Sequence, residues 1–141
     1  MDREIVMTAL LDLVVTAAGF VTTGRELKYW DEVAEQPALF VVDAEEDLAG
    51  SPYNMPRAST MSAEIWLYTK GTERADKNRA KALNALLDAV ESVLQPDPID
   101  NVQTLGGVVE NAWIEGRIDK SPGHVGKQSV AVIPVVMIVP R

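Results

Sequence analysis

The chain has 141 residues, 47% of them hydrophobic, and a net charge of −8. That length and apolar share suit one domain with its own core and exclude a disordered tail. With no cysteine and a single histidine, His124, a disulfide framework, a thiol nucleophile and a zinc ribbon are excluded, and the acidic balance argues against DNA or an anionic membrane as a stable partner.

The opening "MDREIVMTALLDLVV" carries Asp2 as an N-cap and Ile5, Val6, Ala9, Leu10, Leu13, Val14 and Ala17 at helical spacing. It predicts an amphipathic helix over about residues 3–18, ended at Gly19, rather than a signal peptide. The ten apolar residues of "VAVIPVVMIV" fall short of the ~20 that a spanning helix needs. A soluble, unexported protein is expected.

"GRELKYWDEV" reads as a loop or short turn, and Ala38 to Asp43 as a strand. Residues 44–60 contain Gly50, Pro52, Asn54 and Pro56 and predict a long, mobile loop. "MSAEIWLYTK" alternates: Met61, Ala63, Ile65 and Leu67 face one way, and Ser62, Glu64, Trp66, Tyr68 and Lys70 the other. Two aromatics on that second face are more than solvent requires. Thr72 is the expected cap of a second helix over about 73–94, with Ala75, Ala82, Leu83, Leu86, Leu87, Val90, Val93 and Leu94 on its buried side and Pro96 and Pro98 beyond its end.

Two strands are predicted after it, over about 108–119 and 128–139, with the turn "DKSPGHVG" between them. The whole is an α+β domain spanning 1–141 in αββαββ order, a mainly antiparallel four-stranded sheet with two helices packed on one face. The last strand is apolar on both sides, with Val130, Val132, Val136 and Ile138 opposite Ala131, Ile133, Val135, Met137 and Val139. Pro134 interrupts it, and proline belongs on edges or at bulges. Either another subunit covers this strand, or a bulge at Pro134 sits in a strand covered by its own chain.

Candidate chemistry is sparse. Asp43, Glu45, Glu46 and Asp47 lack the spacing of a calcium loop and read as solvated turn charges. Asp97, Asp100 and Asn101 fit turn chemistry, and His124 an exposed turn. Gly106-Gly107 is followed by strand-like residues, with neither a Lys-Ser pair nor a helix behind it, so it reads as a bend into a strand and not a phosphate loop. Arg74, Lys77 and Lys81 share one side of the second helix, either as a solvated face or as a docking surface for an acidic neighbour.

The strings "GRELKYWDEVAEQPALFVVDAEED", "LNALLDAVESVLQPD", "QTLGGVVENAWIEGRI" and "GKQSVAVIPVVMIVP" together resemble the tail terminator, or tail-completion, proteins of long-tailed bacteriophages. The resemblance runs from about Gly24 to Pro140 and includes no catalytic motif. It implies a non-enzymatic virion protein that forms a hexameric ring on the head-proximal end of the tail, assembled in the host cytoplasm. Such a ring ends tube polymerisation and offers the surface to which the head attaches. Implied partners are further copies of the chain, the tail tube protein and a head–tail connector or neck protein. DNA passes through transiently without specific binding, and no cofactor, metal or membrane is implied. Tyr53, Met55 and Arg57 in the long loop, Arg74, Lys77 and Lys81 on the second helix, and Pro134 are the expected subunit or tube contacts. A head-closure or neck adaptor remains an alternative, as does a small-ligand domain with its pocket on the Trp66–Tyr68 face.

Overall fold

The first helical stripe becomes α1, Arg3–Val14, extended by a 3-10 turn at Val15–Ala17, in the computed structural model of the chain. The structure describes residues 2–29, 32–33, 35–48, 58–70, 76–122 and 128–140. Asp2 caps α1 as expected: its carboxylate accepts from the backbone N–H groups of Glu4 and Ile5 at 3.0 and 3.3 Å. Such a cap is worth about 0.5–2 kcal/mol. Val6, Met7, Leu10 and Val14 are the buried side of the helix.

A mixed sheet of six strands receives it. The strands are β1 Thr22–Gly24, β2 Ala38–Leu48, β3 Ala58–Lys70, β4 Asn111–Ile114, β5 Asp119–Pro122 and β6 Gln128–Pro140, with α2, Asp76–Val93, between β3 and β4. Their order is β1-β2-β3-β6-β4, and β5 lies beside β6 as well. Only β1 runs parallel to its neighbour; every other pairing is antiparallel.

The α+β class stands, but the αββαββ order and the four-stranded sheet need correction. β1 adds a strand that three residues of Thr-Thr-Gly do not announce, because its backbone partners on β2 define it. The single strand expected over 108–119 is two short ones, β4 and β5. Val108 and Val109 precede them in a turn, and Val109 is buried in the same core as Ala112 rather than on the Trp113 side. Part of the segment expected as a turn after residue 119 is β5, whereas His124 lies outside the described residues. Residues 44–48 and 58–60, expected in the long loop, are strand: Glu46, Asp47 and Leu48 pair with Met61, Thr60 and Ser59, past a bulge between Asp43 and Glu46. Acidic residues have low strand propensity, but a paired partner overrides it.

Alternation decides which face each strand residue takes. Leu39 lies opposite Leu67, which lies opposite Ala131; Val41, Ile65 and Ile133 form the next row; Ala63, Val135 and Ile114 follow, then Met61, Met137 and Ala112. All of these pack in one core with α1 and with Leu83, Val90 and Leu94 at α2. Both helices therefore cover one face, as the sequence implied. Ala82, expected on the buried side of α2, is exposed instead.

Candidate functional site

Among the described residues no helix lies on the opposite face of the sheet. At one end the segment after β1 folds over it: Val33 packs with Ala38, Phe40 and Tyr68 in a second, smaller core. The Tyr68 ring meets Phe40 edge-on at a centroid distance of 5.9 Å, and Trp66 at 6.5 Å. The Tyr68 hydroxyl donates to the Lys28 carbonyl at 2.9 Å. Tyr68 is thus an interior residue and does not line an open pocket with Trp66. The sequence could not show this, because the covering segment is polar and lies 40 residues away.

Burial raises the Tyr68 pKa above its usual value of 10.0. The folded state resists ionisation that the unfolded chain accepts, so this contribution is intact below pH ~10 and is lost as pH rises towards the folded value. A Tyr68→Phe variant should lose about 0.5–1.5 kcal/mol with the hydrogen bond, yet fall off less steeply above pH ~10. Urea titrations at a series of alkaline pH values test this; parallel curves for the two proteins would refute it.

Beyond Tyr68 no element among the described residues packs over this face as Val33 does over Phe40. Its spine is Val132, Pro134, Val136 and Ile138 on β6, all half-buried. Trp66 lies opposite Val132, Ser62 and Trp113 flank Val136 on its two sides, and Thr60 and Asn111 flank Ile138. The result is an apolar stripe with polar neighbours on β3. The indole Nε1 of Trp66 is buried and has no hydrogen-bond partner among the described residues.

Pro134 sits within a central strand, and the structure explains why it is tolerated. It lies opposite Glu64 on β3, while β4 ends opposite Val135 and β5 begins opposite Val132. Its carbonyl accepts from Glu115 N in the link between β4 and β5, at 3.3 Å. In an antiparallel strand the N–H and carbonyl of one residue point to the same side. The N–H that proline lacks would therefore face the break in that edge, where no ladder bond is lost. Gly116 turns the link at φ +107, 3.5 Å from the Pro134 ring by its virtual Cβ. Space would admit a methyl group there; the backbone conformation favours glycine. No bulge forms at Pro134, because β6 keeps unbroken register with β3 through the pairing of Glu64 with Pro134; the proline is tolerated at the break in the other edge, between β4 and β5.

A second concave feature lies at the far end of α2. A groove of about 310 Å³ runs between the last turns of α2 and β4, lined by Glu91, Gln95, Asn101, Asn111 and Trp113 among others. The loop behind it is held firmly. Gln103 Nε2 donates to the carbonyls of Val93 and Gln95, and the Asn111 side chain accepts from Gln103 N and Ala112 N. Leu105, Gly106 and Gly107 all take positive φ. Gly107, Val108 and Val109 donate their N–H groups to the Thr104 carbonyl. The two glycines therefore bend the chain, and the turn they form fixes the approach to β4.

Arg25 ties the other margin together. Its guanidinium donates to the Val41 carbonyl at 2.8 Å and reaches Asp43 at 2.7 Å and Glu4 at 3.1 Å. Burial lowers its pKa, but the hydrogen bonds and charges of Asp43 and Glu4 outweigh this and leave it raised. Arg3 pairs with Glu46 at 2.7 Å. Two members of the acidic run thus hold α1 and the chain after β1 against β2. Among the described residues no cluster of three or more His, Asp or Glu is placed to hold a metal ion, and no helix is long and apolar enough to cross a membrane.

Of the residues expected at contacts, Tyr53, Met55, Arg57 and Arg74 lie outside the described residues. Lys77 falls in the first turn of α2, and Lys81, one turn on, is exposed. Pro134 is on the open face, at the opposite side of the sheet from the helix layer. Trp113, Glu91 and Asn111 were not singled out from sequence. Glu91 lies 20 residues before Asn111 in the chain, and no local spacing signals that it meets Asn111 and Trp113.

No protein-family model matches the chain, and no curated protein matches it. Among solved structures, a chain of the "Virion of native gene transfer agent (GTA) particle" is similar to it, with a TM-score of 0.56 over 96% of this chain and 92% of that one. The two are 11% identical, so the likeness is one of fold.

Proposed function

We propose that this chain is a structural virion subunit which forms a ring, most simply a hexamer, on the head-proximal end of a phage-like tail tube. The ring ends tube growth and presents the surface that receives the head. The observation that carries this reading is the half-buried apolar stripe Val132–Pro134–Val136–Ile138, with Trp66 and Trp113 beside it, on the sheet face where no helix lies among the described residues. An apolar sheet face of that kind marks a surface completed by another protein. The fold shared with a virion chain supports the same direction, as does the resemblance of the four sequence strings to tail terminators. Partners under this reading are further copies, the tube protein and a neck protein, with DNA passing through unbound. The residues proposed at contacts are Pro134 with its neighbours, Lys77 and Lys81, and, from sequence alone, Tyr53, Met55, Arg57 and Arg74.

Electron microscopy of particles made without the protein tests the reading. Over-long tails are the expected result. Tails of normal length detached from heads would overturn it in favour of a head-closure or neck role.

A further inference from the structure

One edge of β4 is free. Trp113 lies opposite Val136 on β6, and Glu115 N donates to the Pro134 carbonyl on the same strand. Backbone groups of successive strand residues point to alternate sides. Trp113 and Glu115 therefore turn theirs to β6, and Ala112 and Ile114 turn theirs away from it. The Ala112 N–H is taken by the Asn111 side chain at 3.0 Å. The Ala112 carbonyl and the Ile114 N–H have no partner among the described residues.

These groups open into the groove at the end of α2. Ala112 and Ile114 sit in the rows of Met137 and Val135, on the core face, and Trp113 beside Val136 on the other, yet all three line it. A groove that meets side chains from both faces runs along the strand edge itself. Asn111 adds a donor to its wall: the Oδ1 atom accepts from Gln103 N and Ala112 N, and Nδ2 is left without a partner among the described residues.

Such an edge is the template on which an extended peptide adds as a strand. One extended residue beside Trp113, running parallel to β4, would donate its N–H to the Ala112 carbonyl and accept from the Ile114 N–H. The sign of its charge follows from the walls. Residues 82–116, which supply the whole lining, hold six carboxylates and neither lysine nor arginine. Glu91 stands in the wall, exposed and without an ion-pair partner among the described residues. Exposed Asp97, Asp100 and Glu110 each adjoin a lining residue in the chain. With no base in this segment to offset them, the field favours a cationic occupant.

We propose that the groove receives an extended, basic segment of a different protein, added as a short strand to the β4 edge with a lysine or arginine side chain on Glu91. A second copy of this chain is the poorer occupant, since it approaches with a net charge of −8. The proposal needs no ring.

The test selects short random display peptides on the full chain and measures the synthesised binders in solution. They should carry lysine or arginine among β-prone residues. Binding should slow hydrogen exchange at the Ile114 amide, read by NMR, at least about tenfold. Glu91→Lys should weaken binding at least about tenfold and leave the melting temperature level. Ile114→Pro, which removes the outward N–H and no ladder bond, should abolish it; should that variant fail to fold, Glu91→Lys and the exchange measurement decide. The proposal is overturned by a library that yields no binder, by binders that are neutral or acidic, by an Ile114 amide that exchanges as in the free chain, or by a Glu91→Lys protein that binds as the wild type does. Self-association abolished by Glu91→Lys would make a second copy the occupant and overturn the choice of a different protein. Tail length enters none of these readouts, so the capping role stands or falls separately.

Discussion

An aspartate at position 135 is expected to abolish folding, and an aspartate at 136 to leave the fold standing while removing assembly. Val135 is fully buried. It lies in the row formed by Ala63 and Ile114, under the helix layer. An unpaired carboxylate there carries a desolvation cost of several kcal/mol, comparable to the whole stability of a domain, about 5–15 kcal/mol. Val136 points to the other face, between Ser62 and Trp113, and is half-buried. Its carboxylate would stay hydrated at a cost of about 1 kcal/mol. Circular dichroism with a denaturant titration reads the first effect, and sedimentation or capping of tail tubes reads the second. A folded Val135→Asp protein would refute the orientation of β6. A Val136→Asp protein that assembles like the wild type would remove the open face from the interface.

Leu10→Ala should be the most damaging single truncation in α1. The side chain is fully buried and belongs to the main core. Loss of a buried leucine costs about 2–5 kcal/mol through lost transfer and the cavity left behind. α1 has 12 residues, a length at which an isolated helix is marginal. Its place on the sheet therefore depends on that stripe, with Arg3–Glu46 and Arg25–Glu4 as solvent-screened supports that add little. A drop of roughly 10 °C in Tm is expected. Ile5→Ala, at a side chain 56% exposed, is the control and should stay within about 0.5 kcal/mol. Equal losses at both positions would mean that α1 is rotated on the sheet.

The elements that sequence reasoning located are those with a long period. α1, α2, β3 and β6 each repeat their apolar positions enough times to fix both type and face. What it missed has no period of its own. β1 is three residues whose strand character comes from Ala38 to Phe40 beside it. The acidic half of β2 is held by Thr60 and Met61 across the ladder, against local propensity. The split between β4 and β5 depends on Pro134, which lies some 20 positions away from the first of them. The candidate surfaces divide the same way. The two-sided character of β6 was visible in alternating residues, and one side proved to be core while the other is half-buried, with no helix over it among the described residues. The groove beside Glu91 depends on the tertiary meeting of a helix end with a short strand, which no spacing encodes.

The sheet margins bear on how such a subunit avoids uncontrolled growth. One border is a three-residue strand followed by Arg25, which occupies the Val41 carbonyl just past it, and then by the acidic stretch of β2. The other is two four-residue strands parted by the link that crosses Pro134. Among the described residues neither border offers the long, unbroken ladder on which chains stack into fibres. A ring of the proposed kind would then join its copies through the sheet face rather than through strand edges. A protein that stops a polymer from lengthening would need that property in its own backbone first.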